Sequence, residues 1–375
     1  MKAERADLAP AKGACAECLR RSWLLGELSP LLDYHRGDPA RLTELLELDD
    51  NALIDATAGS RRGALKQALN GPPTDQGVGV DGARTICSHH PDWPAGLPAS
   101  DSSMLWLSSS SIVFSRLVRS PRVAILGGRN ASPYGIEMAA GLSRGLAAAG
   151  VTVVAGLGGE LARAAHGGAL ELQTGTLAVA SDGLRRIRPA AAARTGKAVA
   201  RRGCLVSRLM PDASGRGWGL PAAEATVAAL GDVAILIESD GPDAAFSSAR
   251  AALSSGRPLG CIPGPITSHL SAGPHTLILE GAQLIRDARD VLELLYASRH
   301  EVVPDVGATG PPATGFDLRI LERVGAGEDT AERLLRGPAG TGSVLAALGR
   351  LELAGALRRL PDGRYQARAP ARRPV

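Results

Sequence analysis

The sequence predicts an α/β chain, with a doubly wound parallel sheet in the middle, a helical domain before it and a winged-helix-like domain after it. Three observations carry this. Apolar strand-like runs alternate with amphipathic segments, glycine-rich junctions follow two of those runs, and stretches rich in glycine and proline interrupt the chain on either side. The boundaries expected from them are a helical domain over 1–80, a core over 81–298, a linker over 299–312 and a last domain over 313–368.

In the first domain Leu19, Trp23, Leu24, Leu28, Leu31 and Leu32, then Leu42, Leu45, Leu46 and Leu48, recur at helical spacing. Gly71-Pro72-Pro73 and the glycines up to Gly82 end that pattern. In the core, strands are expected at Arg122–Leu126, Val151–Ala155, Thr176–Ser181, Cys204–Arg208, Asp232–Glu238 and Pro258–Ile262. Helices are expected over Tyr134–Ala149, Glu160–Leu172, a basic segment after Ser181, and Ala244–Ser254. Right-handed crossovers cover both faces of such a sheet, and ligands sit at the carboxyl ends of its strands. The loops after Leu126, Ala155, Ser181 and Glu238 are therefore the places to look. Beyond the second linker, Phe316–Val324, Asp329–Leu335 and Gly342–Ala354 read as three short helices, and Ala356–Leu360 with Arg364–Gln366 as a hairpin turning on Asp362-Gly363. That is the pattern of a winged helix-turn-helix, a motif used on DNA or as a protein contact.

At 375 residues, 45% hydrophobic and 21% charged, the chain is too apolar to be mainly disordered. No apolar run approaches the roughly 20 residues that cross a bilayer, and Met1 to Lys12 offers no signal-peptide core, so a cytoplasmic protein without a membrane partner is expected. Five scattered cysteines argue against a disulfide framework. Net charge is +4, and nearly all the cations are arginine, whose planar fork suits phosphate. Between Ser181 and Leu220, Arg185, Arg186, Arg188, Arg194, Lys197, Arg201, Arg202, Arg208 and Arg216 face only Asp182 and Asp212. This stretch reads either as an anion-facing surface or as a solvated helix face.

Two loops could carry chemistry. Gly127-Gly128-Arg129-Asn130-Ala131-Ser132-Pro133-Tyr134-Gly135 follows a strand and opens a helix, where bare amides, the helix dipole and Arg129 would meet a phosphate. The other reading is a plain tight turn. Ala155-Gly156-Leu157-Gly158-Gly159-Glu160 repeats the arrangement, but a dinucleotide fingerprint would want glycine at Leu161, and Glu160 repels phosphate. Asp182 stands about where a ribose-binding acid belongs. Gly337 to Ser343 lacks the lysine of a phosphate-binding ATPase loop. Cys15-Ala16-Glu17-Cys18 has no second cysteine pair or histidine pair, so it reads as two buried thiols at a helix start and no metal is expected. His89 and His90 read as a surface turn, and His166 as a satisfied histidine under the sheet. No nucleophile, base and orienting acid stand at recognisable spacing, so neither catalytic residues nor a cofactor are expected.

The core resembles the DNA-processing protein A family (DprA, also called Smf). The resemblance rests on Val123–Gly135, Ala149–Leu157, Ala165–Leu170, Gly175–Val179, Ala234–Glu238, Ala249–Leu253, Gly256-Arg257, Pro263–Ser268, Ser271–Pro274 and Leu277–Ala282, in that order. It runs closely over about residues 85–296. What the resemblance implies is an extended Rossmann-like core, preceded by a helical domain of sterile-alpha-motif or helix-hairpin-helix type. It further implies a non-enzymatic homodimer that binds single-stranded DNA in uptake and recombination and assists loading of the RecA recombinase.

Three family motifs are altered. The usual Ala-Arg-Gly-Ile-Asp reads Gly158-Gly159-Glu160-Leu161-Ala162, the usual Phe-Pro-x-Arg-Asn-Arg reads Leu220-Pro221-Ala222-Ala223-Glu224-Ala225, and the Ser-Gly-Ser-Leu-x-Thr-Ala loop reads Asp243–Ala249. Each lost phosphate contact weakens affinity and flattens its salt dependence. Among side chains, Arg129, Arg250 and the basic stretch over 185–216 remain as contacts, and the expected site residues are Gly127, Gly128, Arg129 and Ser132 in the first loop, Gly156, Gly158 and Gly159 in the second, and Arg250 at the rim. Two rivals stay open. One is a nucleotide-binding hydrolase using Arg250 and Glu238, and the other is a scaffold that has lost nucleic acid.

Overall fold

The structure is a computed structural model. It describes residues 14–70 and 84–299 apart from 36, 95, 98–103, 110, 173–174 and 216, and, less completely, residues 315–367. The chain divides into two compact units, Met1–Val303 and Pro304–Val375. The expected linkers at 71–82 and 299–312 fall almost wholly outside the described residues.

The first unit begins with helices α1 (Ala16–Leu32), α2 (Pro39–Glu47), α3 (Asp50–Thr57) and α4 (Arg62–Leu69). Asp38 and Asp49 cap α2 and α3 by accepting from Arg41 and Ala52 amides. Leu24, Leu28, Leu32, Leu42, Leu45 and Leu53 form their shared core, which extends onto Leu209, Trp218 and Ala222 of the sheet domain. Two indoles clasp α1: Trp106 Nε1–H donates to Ser22 Oγ and Trp218 Nε1–H to Ser29 Oγ, both at 2.9 Å.

Strands β1 (Arg84–Cys87) and β2 (Met104–Leu107) and helix α5 (Ser111–Arg119) lead into the alternation β3 (Arg122–Leu126), α6 (Pro133–Ala148), β4 (Thr152–Gly156), α7 (Glu160–Leu170), β5 (Thr176–Val179), α8 (Ala190–Arg202) and β6 (Cys204–Ser207). Then follow α9 (Gly219–Leu230), β7 (Val233–Leu236), α10 (Ala244–Ser254), β8 (Leu259–Cys261), α11 (Ala272–Leu279), β9 (Gln283–Leu284) and α12 (Ala288–Ser298). The nine strands form one sheet in the order β1-β2-β6-β5-β4-β3-β7-β8-β9. Strands β3 to β8 are buried throughout, as a parallel sheet covered on both faces requires. Helices α6, α7 and α8 pack side by side, and α9 and α10 pack against each other on β3, β4 and β7.

The doubly wound α/β expectation holds, with one addition. Strand β2 pairs antiparallel with both β1 and β6, so the sheet is mostly, not wholly, parallel. These four-residue strands carry too little periodicity to stand out in sequence.

Starting at β3, the chain winds outward through β4, β5 and β6, then returns to β7 on the opposite flank of β3. The crevice of such a reversal opens between the carboxyl ends of β3 and β7, where Leu126 pairs with Leu236.

In the second unit, α13 (Gly315–Gly325) and α14 (Ala331–Leu335) precede an antiparallel pair, β10 (Leu357–Arg359) and β11 (Tyr365–Ala367). Ile320, Val324, Leu334, Val344, Leu348, Leu351 and Tyr365 are buried together. The third expected helix, over 342–354, and Asp362 of the expected turn lie partly or wholly outside the described residues.

Candidate functional site

At the reversal point the first glycine loop meets the loop after β7. Gly128 N–H donates to the Glu238 carbonyl. The Glu238 carboxylate in turn accepts from Ser132 N–H at 2.9 Å and Ser132 Oγ–H at 2.5 Å, while Ser132 Oγ accepts from Gly135 N–H at 3.1 Å. Ser132 is thus the cap of α6 and the anchor of Glu238, rather than a donor turned toward solvent. The glycines here serve close approach. A Cβ on Gly135 would lie 2.1 Å from Glu238 Oε2, and one on Gly128 would lie 2.7 Å from Asp243 Oδ2.

The second loop abuts the first, since a Cβ on Gly159 would lie 3.6 Å from the Gly128 carbonyl oxygen. Gly159 begins α7 without any side-chain cap, and Pro189 does the same for α8. Beneath this loop lies Glu224, whose Oε1 would be 3.0 Å from a Cβ on Gly156. Burial, with the negative Asp243 nearby, pushes the Glu224 carboxyl up to about 8, and burial raises Asp243 as well. The floor of the crevice is therefore carboxylic. Sequence reasoning found the glycines but not what they approach, because Glu224 and Asp243 reach them from α9 and from the start of α10.

The cations are sorted differently. Arg129 is exposed on the first loop and has no hydrogen bond or ion pair among the described residues. Arg250 is committed, pairing with Glu280 at 2.7 Å and lying over the Phe246 ring. Past β5, Arg185 and Arg188 face Asp212 and Asp182 at 3.4 and 3.7 Å, and both arginines remain solvent-exposed. On α8, Arg194, Lys197 and Arg201 stand at positions i, i+3 and i+7, exposed on one helix face. Arg208, by contrast, is held in a buried setting that lowers its basicity.

Two sequence expectations resolve simply. Asp182 accepts from Gly215 N–H at 3.0 Å and so braces the loop before α9 instead of meeting a ribose. His166 is fully buried, with Nε2 2.9 Å from the Gly156 carbonyl oxygen and Nδ1 3.0 Å from Thr176 Oγ1, and burial lowers it to about 4.

The cysteine pair has neighbours that its own spacing does not show. Cys15 and Cys18 do not stand alone, because β1 ends beside the start of α1 and brings Cys87 and His89 to them. The four ligand atoms, three sulfurs and one imidazole nitrogen, lie within 4.8 Å of one another. The missed signal was the Cys87-x-His89 pair, which is 74 positions from Cys15 at its histidine and fits no short-range spacing.

The model of the family described as DNA recombination-mediator protein A matches residues 84–296. A putative DNA processing protein DprA from Mycobacterium tuberculosis is 32% identical over 66% of this chain, and this chain spans 64% of its length, just under two thirds. Protein Smf of Escherichia coli is 30% identical over 66% of this chain and 68% of its own. Among solved structures, DNA processing protein A from Streptococcus pneumoniae aligns with a TM-score of 0.57 at 23% identity, covering 75% of this chain and 98% of its own, a likeness of fold. The Helicobacter pylori protein, whose structure concerns its single-stranded DNA binding mode, aligns at 0.50 with 25% identity, covering 57% of this chain and 96% of its own.

Proposed function

From the premise that this chain belongs to the DNA recombination-mediator protein A family, we propose that it binds single-stranded DNA by its phosphates, without catalysing a reaction on it. The observation that carries the reading is Arg129. It is a solvent-facing guanidinium without a partner among the described residues, at the rim of the crevice where ligands bind in sheets of this topology. The Helicobacter pylori relative supports the choice of single strands.

In this reading the strand follows the rim, not the floor. Leu161, Asp243, Glu238 and Glu224 fill the space against Gly127, Gly128, Gly135 and Gly156, so phosphate meets Arg129, the uncapped start of α7 at Gly158 and Gly159, and the basic face of α8. Arg250 joins only by leaving Glu280. Few phosphates are then neutralised, and aromatic residues for base stacking are scarce, at 3% of the chain. Binding is accordingly weak and blind to sequence.

Pairing of two copies along the β9 edge fits the exposure of Leu279, at 89%, and Leu284. Assistance to a RecA-type recombinase completes the proposal. The test is the affinity of the full chain for a labelled single-stranded oligonucleotide as a function of salt. A logarithmic slope of about −1.5 to −3, from two to four phosphates at about 0.7 each, is expected, and a slope of zero overturns the reading.

A further inference from the structure

We propose that Cys15, Cys18, Cys87 and His89 form a structural zinc site that staples the start of α1 to the end of β1. The three nitrogen–sulfur distances are close to the edges of a tetrahedron. His89 Nδ1 lies 3.5 Å from Cys15 Sγ, 3.8 Å from Cys18 Sγ and 3.7 Å from Cys87 Sγ. With zinc bonds of about 2.3 Å to sulfur and about 2.05 Å to nitrogen, tetrahedral angles set sulfur–nitrogen edges of about 3.6 Å and sulfur–sulfur edges of about 3.8 Å. Hydrogen bonding alone does not account for the cluster. The single lone pair of a neutral Nδ1 accepts one good bond, not three. Nor is this a set of cysteines stored as small apolar groups, because His89, the fourth member, is exposed and its ring nitrogen is turned toward all three sulfurs.

The local chain is arranged for it. Cys15 is the N-cap of α1 and Cys18 lies one turn in, so both thiolates would sit at the positive end of the helix dipole. Cys87 closes β1, and His89 stands in the turn where His90 N–H donates to the Cys87 carbonyl. Ala14 N–H donates to Thr85 Oγ1 at 2.9 Å, holding the two segments side by side. Three sulfurs and one imidazole, closed to further ligands, is a donor set for zinc and poor for calcium or magnesium. On binding, the three thiol protons leave to solvent, and the metal keeps three thiolates and a neutral histidine. Met104 and Trp106 are buried beside the cysteines, with Leu19, Leu184 and Met210 packed against them, and a metal would add a cross-link at this edge of the contact.

The test begins with the unaltered full chain, purified without added metal and dialysed. Elemental analysis is expected to find one zinc per chain, released when a mercurial titrates the thiols. Cobalt substituted for zinc is expected to show thiolate charge-transfer bands and the intense visible bands of tetrahedral Co(II). A strong chelator should lower the thermal midpoint by about 5 °C. Cys87→Ser and His89→Ala should each reduce retained zinc about tenfold or more, while Cys261→Ala, in a strand far along the chain, leaves it unchanged. A metal-free chain whose five thiols titrate alike with and without chelator overturns the proposal, as does a disulfide between Cys15 and Cys18 or octahedral cobalt. If either ligand variant fails to fold, the stoichiometry and cobalt spectrum of the unaltered chain still decide.

Discussion

Replacing Glu224 with glutamine should stabilise the protein, and only above a definite pH. The unfolded carboxyl ionises near its ordinary 4.5, whereas burial beneath the second glycine loop, with Asp243 close by, holds the folded one to about 8. The folded state therefore keeps a proton that the unfolded state has lost. Stability from this group is complete below pH 4.5 and is withdrawn as pH rises to 8, at about 1.4 kcal/mol per pH unit. His166 works in the opposite sense. Its folded value of about 4 lies below the ordinary 6.5, so its contribution is complete above pH 6.5 and declines as pH falls toward 4. The two slopes cancel between pH 4.5 and 6.5, leaving Glu224 alone above that.

From pH 6.5 to 8 the unaltered chain should lose about 2 kcal/mol, seen as a fall of roughly 3 °C in midpoint for a unit of this size. Glu224→Gln keeps the shape and removes the titration, so its profile over that window should be flat. At pH 8 it should exceed the parent by about 3 kcal/mol, after allowing roughly 1 kcal/mol or more for an imperfectly bonded amide. The assay is thermal or urea unfolding of both chains at half-unit steps of pH. Parallel profiles, or a variant less stable than its parent at pH 8, would refute the reasoning.

Other outcomes follow from the same structure. Arg129→Ala should weaken single-stranded DNA binding alike for all sequences and reduce the salt slope by about 0.7, read by fluorescence anisotropy. Gly168→Ala should destabilise by about 3 kcal/mol, because its Cβ would lie 2.1 Å from the Ala140 carbonyl oxygen where α6 and α7 pack closely. Its neighbour Gly167 faces open space, and alanine there should stabilise by up to about 1 kcal/mol, so chemical denaturation of the pair isolates the packing effect. His166→Gln should abolish the stability lost between pH 6.5 and 4 while lowering stability at neutral pH, as followed by circular dichroism during acid titration.

The sheet was legible because β3 to β8 are short, mostly apolar runs that alternate with helical segments, two of them followed by glycine-rich turns. The twelve residues of α9 were harder. With Pro221 in the first turn and mostly alanine after it, α9 shows little helical periodicity. The candidate site was half legible. Gly127-Gly128 and Gly158-Gly159 announce close approach, but an approach to what depends on side chains from α9 and α10, and no local pattern names Glu224 or Asp243. The cysteine cluster was missed for the same reason: proximity created by packing the start of α1 against the end of β1 leaves no mark in the spacing of one segment.

The double clasp on α1 has a practical consequence for dissecting the molecule. Ser22 and Ser29 are two helical turns apart on one face, and each receives an indole from a different part of the sheet domain. A fragment starting at residue 84 would strip cover from two of the largest buried side chains and leave both indole donors searching for water. Such truncations should be insoluble, whereas separation at the other boundary, after Val303, spares this surface. Tryptophan emission would then serve as a built-in gauge of whether the leading helices are seated.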